Sequence, residues 1–182
     1  MQEDSDILEP IRTVVIDPPW MERGGGKCKR GADRHYKLLK PPEIIREITQ
    51  CDLWNRLDDN VHMYLWATNS FLPKGMQVME SLGFRYVTNV CWVKDRIGLG
   101  QYFRGKHELC LFGVRGNGTY CRTQSRNIPS TIEAKKTTHS RKPDEFYKMV
   151  ENRSTGPYLD MFARDRRPGW IVWGDEIDES AA

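Results

Sequence analysis

The sequence predicts an α/β protein with a mostly parallel sheet, because short apolar segments alternate along the chain with amphipathic segments that begin at prolines. The run Val14-Val15-Ile16 has the β-branched composition of a buried strand. Pro41 and Pro42 then precede isoleucines at helical spacing, and further strand and helix patterns follow. Parallel strands need crossover connections of this kind, so the alternation indicates helices packed against a sheet.

The predicted elements are, in order, a strand over Ile11–Ile16, a helix from Pro41, a strand over Val61–Ala67, a helix over Pro73–Leu82, strands over Phe84–Val93 and Glu108–Val114, a helix over Pro143–Val150, and strands over Tyr158–Ala163 and Trp170–Trp173. Each helix has proline in its first turn, where the missing amide hydrogen costs nothing. Gly83 can end the second helix in the left-handed conformation. The order predicts a Rossmann-like three-layer fold, although no G-x-G-x-x-G follows the first strand.

Composition bounds the class of protein. The 182 residues suit a single domain, with residues 1–10 as a short acidic extension and 177–182 as a tail. No apolar stretch approaches the roughly 20 residues that span a bilayer, and the start lacks a signal-peptide pattern. Five cysteines without a CxxC spacing predict reduced thiols in a cytoplasmic protein and no metal site.

Positive charge is concentrated in two segments. Residues 21–40 contain seven Lys and Arg against two acids, and residues 121–142 contain six against one, so each segment carries +5. A solvated surface would explain either cluster alone. Two clusters in predicted loops, with aromatic residues interleaved, favour contact with phosphates. Residues 21–35 and 95–106 are also rich in glycine and predict mobile loops.

The tetrapeptide Asp17-Pro18-Pro19-Trp20 follows the first predicted strand directly. Open α/β sheets bind ligands at the carboxyl ends of their strands. Two prolines fix the backbone and leave no amide hydrogens, so the segment offers a carboxylate, a carbonyl and an indole face on a rigid support. These groups suit the exocyclic amine of a flat base, whereas the structural alternative is a proline turn with a half-buried tryptophan.

Seven motifs in order resemble the MT-A-type family of N6-adenine methyltransferases, over about residues 11–176. They are Asp17-Pro18-Pro19-Trp20, His35-Tyr36, Leu65-Trp66-Ala67-Thr68-Asn69, Trp92-Val93-Lys94, Lys106-His107-Glu108-Leu109-Cys110, His139-Ser140-Arg141-Lys142-Pro143-Asp144-Glu145 and Trp173-Gly174-Asp175-Glu176. The resemblance implies an enzyme that uses S-adenosyl-L-methionine. It assigns catalysis to Asp17, Pro18, Pro19 and Trp20, and an aspartate at the first position resembles adenine-specific members rather than cytosine-specific ones.

The resemblance also implies which residues contact the cofactor: Asp17, Lys142, Asp160, Phe162, Arg164, Asp175 and Glu176. Within this set Lys142 would bind the methionine carboxylate and Arg164 the ribose. Many family members carry asparagine where this chain has Asp175, so the ribose contact differs in detail. Without the resemblance, Lys142 and Arg164 would be read as solvated charges and Phe162 equally well as core.

The substrate is expected to be nucleic acid, with DNA favoured over RNA because the chain resembles compact bacterial and phage members. The predicted substrate-binding residues are Lys27, Lys29, Arg30, His35, Tyr36 and Glu108. The target base would stack on Trp20 or Tyr36. The alternatives are an RNA N6-adenosine methyltransferase and a non-catalytic nucleic-acid-binding subunit. A second possible enzyme activity is methylation of the cytosine amine or of a protein amide. No membrane partner is expected, and either a monomer or a homodimer is compatible with the sequence.

Overall fold

A seven-stranded sheet forms the centre of the computed structural model, which describes residues 9–21, 38–98, 102–136 and 141–174. Its strands are β1 (Ile11–Ile16), β2 (Leu57–Ala67), β3 (Arg85–Lys94), β4 (His107–Arg115), β5 (Thr131–Ala134), β6 (Tyr158–Met161) and β7 (Trp170–Trp173). The order across the sheet is β5-β3-β4-β2-β1-β6-β7. Among these strands only β4 runs against its neighbours β2 and β3. The predicted α/β class with a mostly parallel, Rossmann-like sheet is confirmed.

The helices cover both faces of the sheet. They are α1 (Pro41–Gln50), α2 (Leu72–Ser81) and α3 (Asp144–Arg153), with short 3-10 helices at Asp52–Arg56 and Asn69–Phe71. Ile44 and Ile48 of α1 share one buried core with Val14 and Ile16 of β1. Val15 belongs to the opposite core, which α3 completes with Phe146, Met149 and Val150. Alternate residues of β1 therefore bury their side chains on opposite faces, which gives the three layers.

Local sequence explains how the helices begin and end. Pro41 and Pro42 occupy the first turn of α1, and the Glu43 carboxylate accepts a hydrogen bond from the Lys40 amide at 2.7 Å. This bond satisfies an amide that the helix itself leaves unpaired. After α2, Gly83 takes φ +82°, as predicted for a glycine that ends a helix.

The sequence patterns did not predict β5, and several predicted strand boundaries differ from the observed ones. Thr131–Ala134 is only four residues long and pairs with β3 alone, at the edge of the sheet. Its alternation is too short to distinguish it from a polar loop. Strand β2 begins at Leu57 rather than Val61, and β6 ends at Met161 rather than Ala163. The early end of β6 has a local cause, since Phe162 adopts φ +60° and cannot continue an extended strand.

Strand β1 lies between β2 and β6. The chain passes from β1 to β2 on one side and returns much later, from β5, to β6 on the other side. The β1–β2 connection carries α1 on one face, and α3 precedes β6 on the other. A crevice opens at the carboxyl end of a strand in this position, where α/β sheets bind ligands. Asp17 is the first residue after β1 and therefore stands at that crevice.

Candidate active site

Four chain segments meet at the carboxyl edge of the sheet. Asp17 follows β1, and Phe162 follows the parallel strand β6. Because β4 is antiparallel to β2 and β3, its first residues lie at this same edge, beside Lys94 at the end of β3. Glu108 is the second residue of β4. One edge thus gathers acidic, basic and aromatic side chains that are far apart in the sequence.

The backbone of the Asp17–Trp20 tetrapeptide is held on both sides. The Asp17 amide donates to the Met161 carbonyl at 3.3 Å, and the Leu39 amide donates to the Pro19 carbonyl at 2.8 Å. The Trp20 amide donates to the Pro18 carbonyl at 2.9 Å. A carbonyl oxygen has two lone pairs, so the Pro18 oxygen retains one acceptor position. These bonds give the segment the rigidity that its two prolines predict.

Trp20 does not offer the stacking face that the sequence suggested. Its side chain is 6% exposed, and its indole donates a hydrogen bond to the Trp66 carbonyl at 2.8 Å. The ring also packs at 5.6 Å, between centroids, on Phe71. Burial and this bond make Trp20 an anchor that fixes the tetrapeptide to β2, and the expectation that its indole stacks on a target base is wrong for this conformation.

Asp17 is one end of a chain of ion pairs. The Lys142 ammonium lies 3.0 Å from a carboxylate oxygen of Asp17 and 3.2 Å from one of Glu108. The other oxygen of Glu108 accepts from the Lys94 ammonium. The Lys142 and Lys94 side chains are 10% and 14% exposed, so the network is largely shielded from water. Lys142 also sits 4.8 Å from the centre of the Trp66 ring, where a cation–π interaction stabilises it.

The charges in this network reinforce each other. Burial by itself would raise the pKa of Glu108, but the Lys142 and Lys94 ammonium groups outweigh it and lower that pKa to about 2. Burial would lower the pKa of Lys142, but Asp17 and Glu108 outweigh it and raise that pKa. At neutral pH Glu108 is therefore an acceptor only, and Lys142 keeps all three of its donors.

A cavity beside Asp17 collects most of the predicted cofactor contacts. Its wall is formed by Asp17, Arg141, Lys142, Tyr147, Asp160, Phe162, Ala163, Arg164, Asp165 and Arg167. All five predicted cofactor residues that the structure describes are in this wall. The remaining two, Asp175 and Glu176, lie outside the described residues, as do the predicted substrate residues Lys27, Lys29, Arg30, His35 and Tyr36.

Sequence reasoning gave no role to Tyr147 or Arg167, which shape this cavity. The Tyr147 hydroxyl donates to Asp160 at 2.9 Å, and the Arg167 guanidinium stacks on the Tyr147 ring at 3.8 Å. Arg167 also bonds Asp144 at 2.8 Å, near the start of α3. Lys142 lies just before α3, and Tyr147, five positions later in the sequence, is near the start of that helix and lines the same cavity. That spacing was the sequence signal that could have pointed to Tyr147 as a cavity residue.

Asp160 is an unusual carboxyl group. It is 5% exposed, burial raises its pKa to about 7, and the negative charge of Asp17 adds to that rise, whereas the Tyr147 hydrogen bond opposes it. A buried carboxyl poised near neutrality readily becomes a carboxylate when a cation binds beside it. The cavity wall thus contains both an ammonium, at Lys142, and a carboxyl, at Asp160.

These groups fit S-adenosyl-L-methionine. The amino-acid end of that cofactor carries a carboxylate and an ammonium, which match Lys142 and Asp160 respectively. Lys142 uses two of its three donors on Asp17 and Glu108, which leaves one for a ligand carboxylate. Phe162 adds an apolar surface. Among the described residues no group of histidine, cysteine or acidic side chains could hold a metal ion, and none of the described helices is long and apolar enough to span a membrane.

Comparison with known proteins agrees with this geometry. The profile of the MT-A70 family matches residues 11–176, which is nearly the whole sequence. The chain belongs to the MT-A70 family. Relatives of this MT-A70 chain include the N(6)-adenosine-methyltransferase catalytic subunit METTL3 of Homo sapiens, 28% identical over 186 residues, and the N(6)-adenosine-methyltransferase MT-A70-like of Arabidopsis thaliana, 30% identical over 188 residues. The alignments cover 96% and 95% of this chain but 30% and 24% of those relatives.

A shorter relative is also similar. The type II methyltransferase M.MunI of Mycoplasma sp. is 28% identical over 190 residues, covering 93% of this MT-A70 chain and 78% of M.MunI itself. The chain therefore spans less than a third of METTL3 and the Arabidopsis relative but most of M.MunI. The family resemblance read from the seven motifs is confirmed.

The buried Asp160 predicts a pH-dependent stability. Its pKa is higher in the folded chain than the ordinary 3.8, so the folded chain loses stability as the pH rises from about 4 to 7. Asp160→Asn keeps the acceptor for Tyr147 and removes the titration. Urea unfolding without cofactor should show the variant gaining stability over the wild type between pH 4 and pH 7, by at most about 4 kcal/mol. An equal difference at pH 4 and pH 8 would contradict the raised pKa.

Proposed function

We propose that this protein transfers a methyl group from S-adenosyl-L-methionine to the N6 amine of adenine in nucleic acid. One observation carries the proposal: Asp17 of the Asp-Pro-Pro-Trp segment stands in the wall of a cavity whose other charged groups fit the cofactor. The bound cofactor would supply an electrophilic methyl group. Family membership and the relatives named as N(6)-adenosine-methyltransferases support the same activity.

The chain's own residues would orient the amine. The adenine N6 lone pair is delocalised into the ring, which makes it a poor nucleophile. Lys142 holds one oxygen of Asp17, and the other would accept one amine hydrogen. The Pro18 carbonyl, which accepts one bond from the Trp20 amide, would accept the second. With both hydrogens fixed, the nitrogen can become tetrahedral and its lone pair can point at the methyl group. Acceptors that are already fixed in this position raise the rate, because they need not reorient when the transition state forms.

The network around Lys142 would link substrate and cofactor. Its ammonium touches Asp17 on the substrate side and has a donor free for the cofactor carboxylate. Glu108, held by Lys142 and Lys94, keeps that ammonium in place. A strong general base is unnecessary, because the methylated amine is cationic and gives up its proton readily. Asp17 therefore acts by position and hydrogen bonding.

Labelled methyl transfer tests this function. Purified protein is incubated with S-adenosyl-L-methionine carrying a labelled methyl group and with matched adenine-containing DNA and RNA oligonucleotides, and the products are digested to nucleosides. Labelled N6-methyladenine supports the proposal. Label on cytosine or on a protein amide would show that the enzyme methylates that group instead of adenine. Nucleic-acid binding without cofactor consumption would show that the chain is a non-catalytic binding subunit.

We propose DNA before RNA as the substrate. The chain matches most of the length of the compact bacterial relative M.MunI, and only a segment of the longer N(6)-adenosine-methyltransferases. Methylation of RNA with no signal on matched single- or double-stranded DNA would reverse this order. The RNA reaction is the second candidate, because relatives such as METTL3 carry adenosine in their names.

Substitution of three basic residues tests the contact with phosphates. Replacing Lys27, Lys29 and Arg30 with alanine should weaken DNA binding on every sequence and reduce the slope of log Kd against log salt by up to about three, since each lost phosphate contact removes about one. Cofactor affinity should not change. Binding is measured by fluorescence anisotropy between low and moderate salt. A salt slope equal to that of the wild type would remove this segment from the substrate site.

A further inference from the structure

The loop between β3 and β4 carries two large aromatic side chains that nothing in the described chain covers. Tyr102 is 94% exposed and Phe103 is 88% exposed. We call these two residues the aromatic tip. Aromatic rings normally bury a large apolar area, and adjacent rings left in water mark a binding surface. The methyl-transfer chemistry proposed above does not use them.

Hydrogen bonds connect the described residues on the two sides of this loop, at its base. The Lys94 amide donates to the Lys106 carbonyl at 2.8 Å, and the Gly98 amide donates to the Gly105 carbonyl at 2.6 Å. The Arg104 guanidinium also donates to the Gly98 carbonyl at 2.6 Å. These bonds extend the β3–β4 hairpin outward from the sheet. The two rings therefore lie further from the sheet than the hydrogen-bonded base of the loop.

That base belongs to the candidate active site. Lys94 and Glu108, on either side of the loop, bond each other, and Glu108 contacts the Lys142 that holds Asp17. Phe103 precedes Glu108 by five positions, a span of at most about 17 Å of extended chain. Bases along one strand are about 3.4 Å apart. A strand with one base at Asp17 would thus bring its nearby bases within reach of the aromatic tip.

Charge on the loop favours a polyanion as the partner. Arg96, Arg104 and Lys106 are exposed, against the single acid Asp95 among the described residues of the loop. Aromatic rings between exposed cations are the surface that binds single-stranded nucleic acid, since the rings stack on bases and the cations contact phosphates. A protein partner would need apolar area beyond two rings and Ile97, which is 60% exposed.

We infer that the aromatic tip stacks on an unpaired nucleobase a few positions from the target adenine in the same strand. This inference deepens the proposed function and rests on it. Stacking there would fix the register of the strand relative to Asp17, while the loop cations hold its backbone. The tip is thereby a substrate-positioning element and contacts neither the cofactor nor the reacting amine.

The test uses DNA single strands that carry 2-aminopurine, whose fluorescence is quenched by stacking, at one position at a time around the target adenine. Wild-type protein should quench the probe at one or two neighbouring positions. Tyr102→Leu/Phe103→Leu should lose that quenching and bind the strand about tenfold to a hundredfold more weakly. Leucine keeps apolar bulk, so a purely apolar contact would survive the change.

Tyr120→Leu is the matched control. Tyr120 is an aromatic residue, 71% exposed, in the turn after β4 at the opposite edge of the sheet. This variant should bind and quench like the wild type. Wild-type quenching and affinity in the Tyr102→Leu/Phe103→Leu protein would overturn the inference, as would a change in its oligomeric mass with binding intact, which would assign the tip to a second copy.

The binding measurement needs neither cofactor nor turnover. Failure of the proposed function would appear as missing N6-methyladenine in the wild-type reaction, whatever the probe shows. Failure of the present inference would appear as unchanged binding in the tip variant while wild-type methylation proceeds. The two failures are therefore distinguishable.

Discussion

Asp17→Asn is expected to lower turnover by about two to three orders of magnitude while the protein remains folded and still binds cofactor. The geometry gives the reason. One Asp17 oxygen is 3.0 Å from the Lys142 ammonium, and in the proposed mechanism the other would accept a hydrogen bond from the adenine amine. Asparagine has a single oxygen and cannot satisfy both. If that oxygen turns to Lys142, the amide NH₂ faces the amine, donor against donor, and losing one aligned acceptor costs roughly 3–4 kcal/mol of transition-state stabilisation.

The measurement is single-turnover methylation with saturating cofactor and oligonucleotide, so that binding defects do not enter. Asp52→Asn is the control, because Asp52 is an exposed aspartate in the 3-10 helix that leads into β2, at the other end of that strand from the site. It should react at the wild-type rate. Near wild-type turnover in Asp17→Asn would remove Asp17 from the mechanism, and loss of cofactor binding would instead assign it mainly to the cofactor.

Much of the fold was predictable because its signals are local. The β-branched run at Val14–Ile16, the prolines that open α1 and the glycine that ends α2 act through neighbouring residues, and the structure confirms each. Strand β5 was missed because a four-residue edge strand is defined by its partner β3 rather than by its own composition. The end of β6 depended on the left-handed backbone of Phe162, which is unusual for a bulky residue.

The sequence predicted which residues gather at the candidate site better than it predicted how their side chains contact each other. Motif order predicted that Asp17 and Lys142 belong to one site, but no spacing shows that residues 125 positions apart form an ion pair of 3.0 Å. The burial of Trp20 was also invisible, since it depends on the Trp66 carbonyl at the end of another strand. Lys94 ends the Trp92-Val93-Lys94 motif, and nothing in the sequence pairs it with Glu108. The antiparallel β3–β4 pairing, in which Glu108 lies opposite Trp92, brings the Glu108 carboxylate to the Lys94 ammonium. Long-range pairing decides these contacts.

Lys142→Met should destabilise the folded chain by about 3 kcal/mol at pH 7 and raise the Michaelis constant for cofactor. Removing one member of a shielded ion-pair network leaves its partners as unpaired charges. Asp17 would lose the ammonium at 3.0 Å, and Glu108 would keep only Lys94. Lys148→Met, an exposed lysine on α3, is the matched control and should change stability by less than about 0.5 kcal/mol.

The pH dependence separates the network from a simple packing loss. The pKa of Glu108 is lowered to about 2 in the folded chain, so its contribution to stability is fully present above the ordinary value of 4.5 and is lost as the pH falls towards 2. Without Lys142 that pKa must rise. The deficit of Lys142→Met, measured by urea unfolding, should therefore be greatest above pH 5 and shrink steadily below pH 4.5. Adding Asp17→Asn should recover part of the deficit at pH 7, because the carboxylate that lost its ammonium partner is then gone. A deficit that is constant from pH 7 to pH 3.5, with no recovery in the double variant, would show that Lys142 stabilises the chain through the packing of its alkyl stem on Trp66 and not through the charge network.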